Sequence, residues 1–137
     1  MAFVLDNSVM IGWCFQSQAT KYSDQILDLL NDETAHVPSL WVLEFSNILG
    51  KSLLTGKIDS ERASALINTM NALPIVIDHQ AVSVAESFKL AIRYGLTSYD
   101  AAYLELALRL QLPIASNDLA LRNAAIKAGL ALVKIAG

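Results

Sequence analysis

A three-layer α/β/α sandwich around a mostly parallel sheet is the fold class that this 137-residue sequence predicts. Three observations lead there. Short β-branched or apolar runs alternate with stretches of helical periodicity. Strands separated by helices need crossover connections, which make neighbouring strands parallel and cover both faces of the sheet. Finally, Pro38, Pro74 and Pro113 stand beside the apolar runs, while Gly56 and Gly95 follow helical ones. These are places where a fixed or left-handed backbone ends an element.

In chain order, the first strand is expected at 2–5, an apolar run that stops on Asp6, with a helix at 8–15 behind it. A helix at 20–32 leads to a second strand at 35–37, closed by Pro38. The helix expected at 39–55 places Trp41, Val42, Phe45, Ile48 and Leu49 on one arc, with Glu44, Asn47 and Lys51 on another. After Gly56 comes a helix at 59–72, and Pro74 introduces the strand at 75–77. Gly95 ends a helix at 79–94, one at 98–111 follows, and Pro113 precedes a strand at 114–115. A helix at 118–128 and a fifth strand at 130–133 complete the set. With no repeat, linker or low-complexity segment, residues 1–137 are read as a single domain.

Charged residues make up 17% of the chain and hydrophobic ones 54%, where about 25% charged is usual. Mean hydropathy is +0.42. No run reaches the roughly 18 apolar residues of a membrane span, and the start lacks the pattern of a signal peptide. A soluble, cytoplasmic protein is expected, with surplus apolar surface for a partner or a homodimer. The single Cys14 excludes an internal disulfide, and with only His36 and His79 it excludes a Cys/His zinc site. It lies in the apolar run IGWCF, as a buried structural thiol would. Net charge is −3. A protein that grips nucleic acid by charge alone is usually basic, so anything here that handles a polyanion needs another source of positive charge.

The acids carry the functional question. Asp6 ends a strand, where it either caps the next helix or holds a ligand beyond the strand's carboxyl end. Glu44 and Asn47 form either the wet face of a helix or one wall of a cleft. In SYDAAYLELALRLQ, Glu105 and Arg109 read as the solvent side, whereas Asp100 falls among Tyr103, Leu104 and Ala107. An acid on an apolar face is costly; Thr97-x-x-Asp100 also resembles a capping box, with Asp in place of the preferred Glu or Gln. Ser116, Asn117 and Asp118 each suit the cap of the following helix. If several of these carboxylates converge, they repel one another and resist ionisation. A divalent cation relieves that repulsion, and an all-oxygen donor set favours Mg²⁺ or Mn²⁺.

The ordered segments VLDNSV, PSLWVLEFSNIL, LTSYDAAYLELA and IASNDLAL resemble the PIN-domain nucleases, especially the VapC-type toxins of toxin–antitoxin pairs. The resemblance spans nearly the whole chain. It implies that Asp6, Glu44, Asp100 and Asp118 form a Mg²⁺- or Mn²⁺-dependent site cleaving single-stranded RNA, with Ser8, Asn47 and Ser116 in support. It also implies a small antitoxin protein as partner, and Trp13, Phe15, Trp41 and Phe45 are expected to form its groove. Asn7 stands where Thr or Ala is common in that family, and Ser116 replaces a more frequent Thr. A housekeeping RNA-processing nuclease and a non-catalytic RNA- or protein-binding domain remain alternatives. A nucleotide-binding regulator ranks below them, because no Gly-rich loop follows a strand.

Overall fold

The computed structural model describes residues 1–135. Four parallel strands, β1 (Ala2–Leu5), β2 (Thr34–Pro38), β3 (Ile75–Asp78) and β4 (Ile114–Ala115), form one sheet in the order β3-β2-β1-β4. The described helices are α1 (Asn7–Cys14), α2 (Lys21–Leu29), α3 (Leu40–Leu54), α4 (Ser60–Ala72), α5 (Val84–Tyr94), α6 (Ser98–Leu110) and α7 (Leu119–Lys127). A short 3-10 turn, Gln16–Gln18, separates α1 from α2.

Strand β1 is central, and its side chains alternate between two cores as the strand's period of two requires. Phe3 and Leu5 pack with Val9, Met10, Ile26, Trp41, Phe45 and Leu49, from α1, α2 and α3. Val4 points the other way, into a cluster with Tyr103, Leu104, Leu106 and Leu121 from α6 and α7. All three β1 side chains are fully buried. A strand covered on both faces reads as a continuous apolar run, which is why Phe3-Val4-Leu5 shows no polar alternation. The strand order also fixes where a ligand belongs. The chain moves outward from β1 to β2 to β3, then returns to add β4 on the opposite side of β1. That reversal opens a crevice beyond the carboxyl ends of β1 and β4.

Three expected elements differ in detail. The helix expected at 20–32 ends at Leu29. The helix expected from residue 79 starts at Val84, because Ser83 caps it by accepting the Glu86 N–H at 3.1 Å. The segment before it is tied elsewhere: Arg109 Nη2 binds Asp78 Oδ2 at 2.6 Å and its Nη1 donates to Gln80 Oε1 at 3.2 Å. The Glu105–Arg109 pair forms at 2.9 Å, but Asp78 shares the guanidinium and all three side chains are three-quarters or more covered. It is a clamp between α6 and the end of β3 rather than a free solvent face. The fifth strand contracts to a single bridge between Ile114 and Leu132. With only two residues, β4 offers too short an edge to order a longer partner.

Helices α1 and α2 pack closely at Gly12, where an added Cβ would lie 2.5 Å from Ser23 Oγ and 2.9 Å from Ser23 Cβ. Ser23 is fully buried and completes a capping box with Thr20, so it has little room to yield. Gly12→Ala is expected to lower stability by about 1–3 kcal/mol through overpacking. Urea denaturation of the variant checks this, and an unchanged midpoint would show that the helices separate freely.

Candidate active site

Asp6 occupies the N-cap position of α1 in extended conformation, yet its side chain makes no capping hydrogen bond. The carboxyl is 2% exposed. Instead, its Oδ2 accepts from Ser8 Oγ at 2.6 Å and from Ser116 Oγ at 2.7 Å. Both hydroxyls serve twice, as a group with one donor and two lone pairs can. Ser116 Oγ accepts the Asp118 N–H and Ser8 Oγ accepts the Asn117 N–H, each at 2.9 Å. The end of β1 is thereby stitched to the loop after β4. Burial raises the Asp6 pKa above the ordinary carboxyl value, the two serine hydroxyls oppose that, and Asp118 adds to it.

The other three acids arrive on separate helices. Asp118 caps α7, its Oδ2 accepting the Leu121 N–H at 3.1 Å. Asp100 is in the first turn of α6, where Thr97 is the cap and accepts the Asp100 N–H at 3.1 Å. Its carboxyl is pushed up to about 6, first by burial and then by Asp118, Asp6 and Glu44. Capping and convergence are therefore not alternatives at Asp100: Thr97 performs the cap, and the Asp100 carboxylate feels all three other acids. Glu44, on α3, is raised by burial and by Asp6, and is held back by the Tyr103 hydroxyl and the Asn7 side chain. Tyr103 Oη donates to Glu44 Oε1 at 2.5 Å. Asn47, one turn further along α3, is exposed.

Asp100 thus lies within electrostatic reach of Asp118, Asp6 and Glu44, and Asp6, held by Ser8 and Ser116, within reach of Asp118 and Glu44. As they stand, no three acidic, histidine or cysteine side chains among the described residues are gathered closely enough to grip one ion. Tyr103 is the site residue that sequence reasoning missed. Its only signal was the choice of Tyr over Phe on an apolar helix face.

The four aromatic residues expected at a partner groove stand in different surroundings. Trp41 and Phe45 are buried and stack with centroids 5.5 Å apart. They line an apolar hollow of about 380 Å³ between α3 and α4, with Leu49, Leu53, Ile67 and Met70. Trp13 is turned away, its indole N–H donating to the Ser23 carbonyl at 2.7 Å. Phe15 lines different hollows, with Lys57 and Ser17. Trp13 thus makes its polar contact on α2, Phe15 faces α3 and the turn between α3 and α4, and Trp41 and Phe45 line the α3–α4 hollow. The Cys14 thiol is buried and pushed up to about 11 by that burial, which makes it unreactive.

Comparison with known proteins adds relatives. The PIN domain family matches residues 3–127. Over 92 residues the chain is 30% identical to Ribonuclease VapC1 of Mycobacterium tuberculosis, in strains CDC 1551 / Oshkosh and ATCC 25618 / H37Rv, covering 66% of this chain and 67% of that protein. Two crystal structures are similar in fold. PAE2754 from Pyrobaculum aerophilum has a TM-score of 0.66 at 22% identity, over 90% of this chain and 79% of that one. VapBC2 from Rickettsia felis, bound to a DNA fragment from their promoter, has a TM-score of 0.69 at 14% identity, over 97% and 98%.

The capping role of Asp118 is separable from any other. Asp118→Ala should cost about 1 kcal/mol of stability, whereas Asp118→Asn should cost a few tenths. Paired denaturation curves measure the gap, and equal stabilities would show that the α7 cap is dispensable.

Proposed function

The chain belongs to the PIN-domain family, and on that premise we propose that Asp6, Glu44, Asp100 and Asp118 are the catalytic centre of an endoribonuclease acting as the toxin of a toxin–antitoxin pair. The protein is a nuclease. Asp6 carries the reading of its site: the central strand ends on a carboxyl that is 2% exposed, makes no cap, and faces other acids. The two serine hydroxyls make that burial tolerable; a ligand role accounts for the acids gathered near it.

The donor set suits a divalent cation. Four carboxylates, with no cysteine or histidine among them, are hard oxygen donors of the kind that favour Mg²⁺ or Mn²⁺ over softer ions. The Asp100 carboxyl is raised first by burial and then by Asp118, Asp6 and Glu44, and such an ion would relieve that repulsion. It would also supply the positive charge that a chain of net charge −3 lacks toward a polyanion. Held by Asp6, Glu44, Asp100 and Asp118, an ion of this class would supply Lewis-acid activation of water and charge stabilisation at the phosphodiester.

The chain's own part is to hold the acids in place. Ser8 and Ser116 fix the Asp6 carboxylate, the α7 N-terminus holds Asp118, and α6 presents Asp100 from its first turn. In the reaction, water adds to phosphorus as the bond from phosphorus to the 3′ oxygen breaks. The proton passes to that oxygen, leaving a 3′ hydroxyl and a 5′ phosphate on single-stranded RNA.

The antitoxin would lay an amphipathic segment in the Trp41–Phe45 hollow, with a basic residue reaching toward the acids. A homodimer is part of the proposal, supported by the exposed residues Val84, Phe88 and Ile92, spaced four apart along α5. The site of action is the cytoplasm; among the described residues no helix is long and apolar enough to cross a membrane.

Asp6→Asn, Glu44→Gln and Asp100→Asn should each reduce cleavage of total RNA by at least about 10²-fold, the scale of losing a main electrostatic contact. Circular dichroism should show each variant folded, and full activity in any one removes that residue from the centre. Mn²⁺ or Mg²⁺ should raise the melting temperature by binding the native state, and Asp6→Asn should blunt the rise. An equal rise in NaCl at matched ionic strength would reduce the effect to screening and exclude a metal site.

A further inference from the structure

Tyr103 is 1% exposed, and its ring is packed in the cluster that holds Val4, Leu104, Leu106 and Ile114. Phenylalanine would fill that space as well, so packing accounts for the ring and leaves the hydroxyl unexplained. A buried hydroxyl needs a partner. Here the partner is Glu44 Oε1, 59 residues away in sequence and 2.5 Å away in space. That distance is typical of a charge-assisted O–H···O⁻ bond, roughly twice as strong as a neutral one. Glu44 has a long side chain with several rotatable bonds, and it is only partly buried. Left alone, it would sample many rotamers, and ordering it at a ligand would cost that freedom. A donor rooted in the core removes much of the cost beforehand. Tyr103 also lies three residues after Asp100 on α6, one turn along the same face. One rigid helix therefore carries an acid of the site and the donor that grips another acid on α3.

We propose that Tyr103 is a positioning residue of the metal centre, orienting the Glu44 carboxylate and setting its placement relative to Asp100. The proposal rests on the four-acid reading above. Residues that orient metal ligands typically change metal affinity by 10–100-fold when lost, and Tyr103→Phe should do the same while keeping the core filled.

Calorimetric titration of the purified full chain with Mn²⁺ tests this in wild type, Tyr103→Phe, Asp6→Asn, Glu44→Gln and the Tyr103→Phe/Glu44→Gln double variant. The expected result is roughly tenfold or more weaker Mn²⁺ binding in Tyr103→Phe, with binding nearly abolished in Asp6→Asn. Adding Tyr103→Phe to Glu44→Gln should cause no further loss, since the hydroxyl acts through Glu44. In RNA cleavage at saturating Mn²⁺, Tyr103→Phe should lower kcat and leave KM for RNA unchanged, a split that general loosening of the fold would not produce. Wild-type Mn²⁺ affinity in Tyr103→Phe, with Asp6→Asn still defective, would overturn the role of Tyr103 and leave the four acids standing. Wild-type affinity in Asp6→Asn would overturn the four-acid reading and this proposal together. Should Tyr103→Phe fail to fold, Glu44→Asp withdraws the carboxylate from the phenol without touching the core. Unchanged Mn²⁺ affinity there would also overturn the proposal.

Discussion

A carboxyl group buried at the end of the central strand is the constraint around which this fold is arranged. Asp6 cannot leave that position without moving β1, whose three preceding side chains are fully buried in two cores. It is tolerable there only because hydroxyls on both sides donate to it. Those hydroxyls in turn accept backbone N–H groups from the loop after β4, so the same bonds that satisfy the acid also dock the start of α7. Ser116 is fully buried for this reason. A change at Ser8 or Ser116 would act on the Asp6 carboxylate and on the placement of Asp118 at once.

The sheet order supplies the space. Because β4 joins β1 on the side opposite β2, the carboxyl ends of β1 and β4 stand at the point where the strand order reverses, the usual place for a ligand in an open parallel sheet. Helices α3 and α6 meet at the Tyr103–Glu44 contact, between residues 59 positions apart in sequence. Asp118, Asp6 and Glu44 all act on the Asp100 carboxyl, so the four acids share one region. Burial first, and then Asp118, Asp6 and Glu44, push the Asp100 carboxyl up to about 6. Carboxyls perturbed in this way cluster at functional sites.

Polar clamps and apolar surfaces are divided between the layers. Arg109 joins Asp78, Gln80 and Glu105, tying α6 to the end of β3 and to the segment that leads into α5. On the opposite layer, α3 and α4 leave an apolar hollow floored by the stacked Trp41 and Phe45. The Trp41 indole nitrogen is buried there without a hydrogen-bond partner, a cost that a satisfied core tryptophan such as Trp13 avoids through Ser23. The surplus of apolar residues in the composition thus appears in particular places: the α3–α4 hollow and the outer stripe of α5.

Local pattern alone determined the fold class, the order of strands and helices, and which acids stand at strand ends or on apolar faces. Those features repeat at the period of a single element or are marked by one proline, glycine or cap, so a short window contains them. Boundaries slipped where a distant group intervened, as at residues 79–83, which follow Arg109 and the Ser83 cap instead of continuing a helix. Tertiary structure alone decided which acid feels which: that Asp6 is held by Ser116, that Glu44 meets Tyr103, and that Asp100 faces the other three. It also decided that the Trp13 indole turns to the Ser23 carbonyl while Trp41 and Phe45 line the α3–α4 hollow, since helical periodicity gives each helix a face but not a neighbour. The reason is physical. A side chain's direction is set by its own helix or strand, whereas its partner is chosen by how crossover connections stack those elements on the sheet, over separations that no local period records.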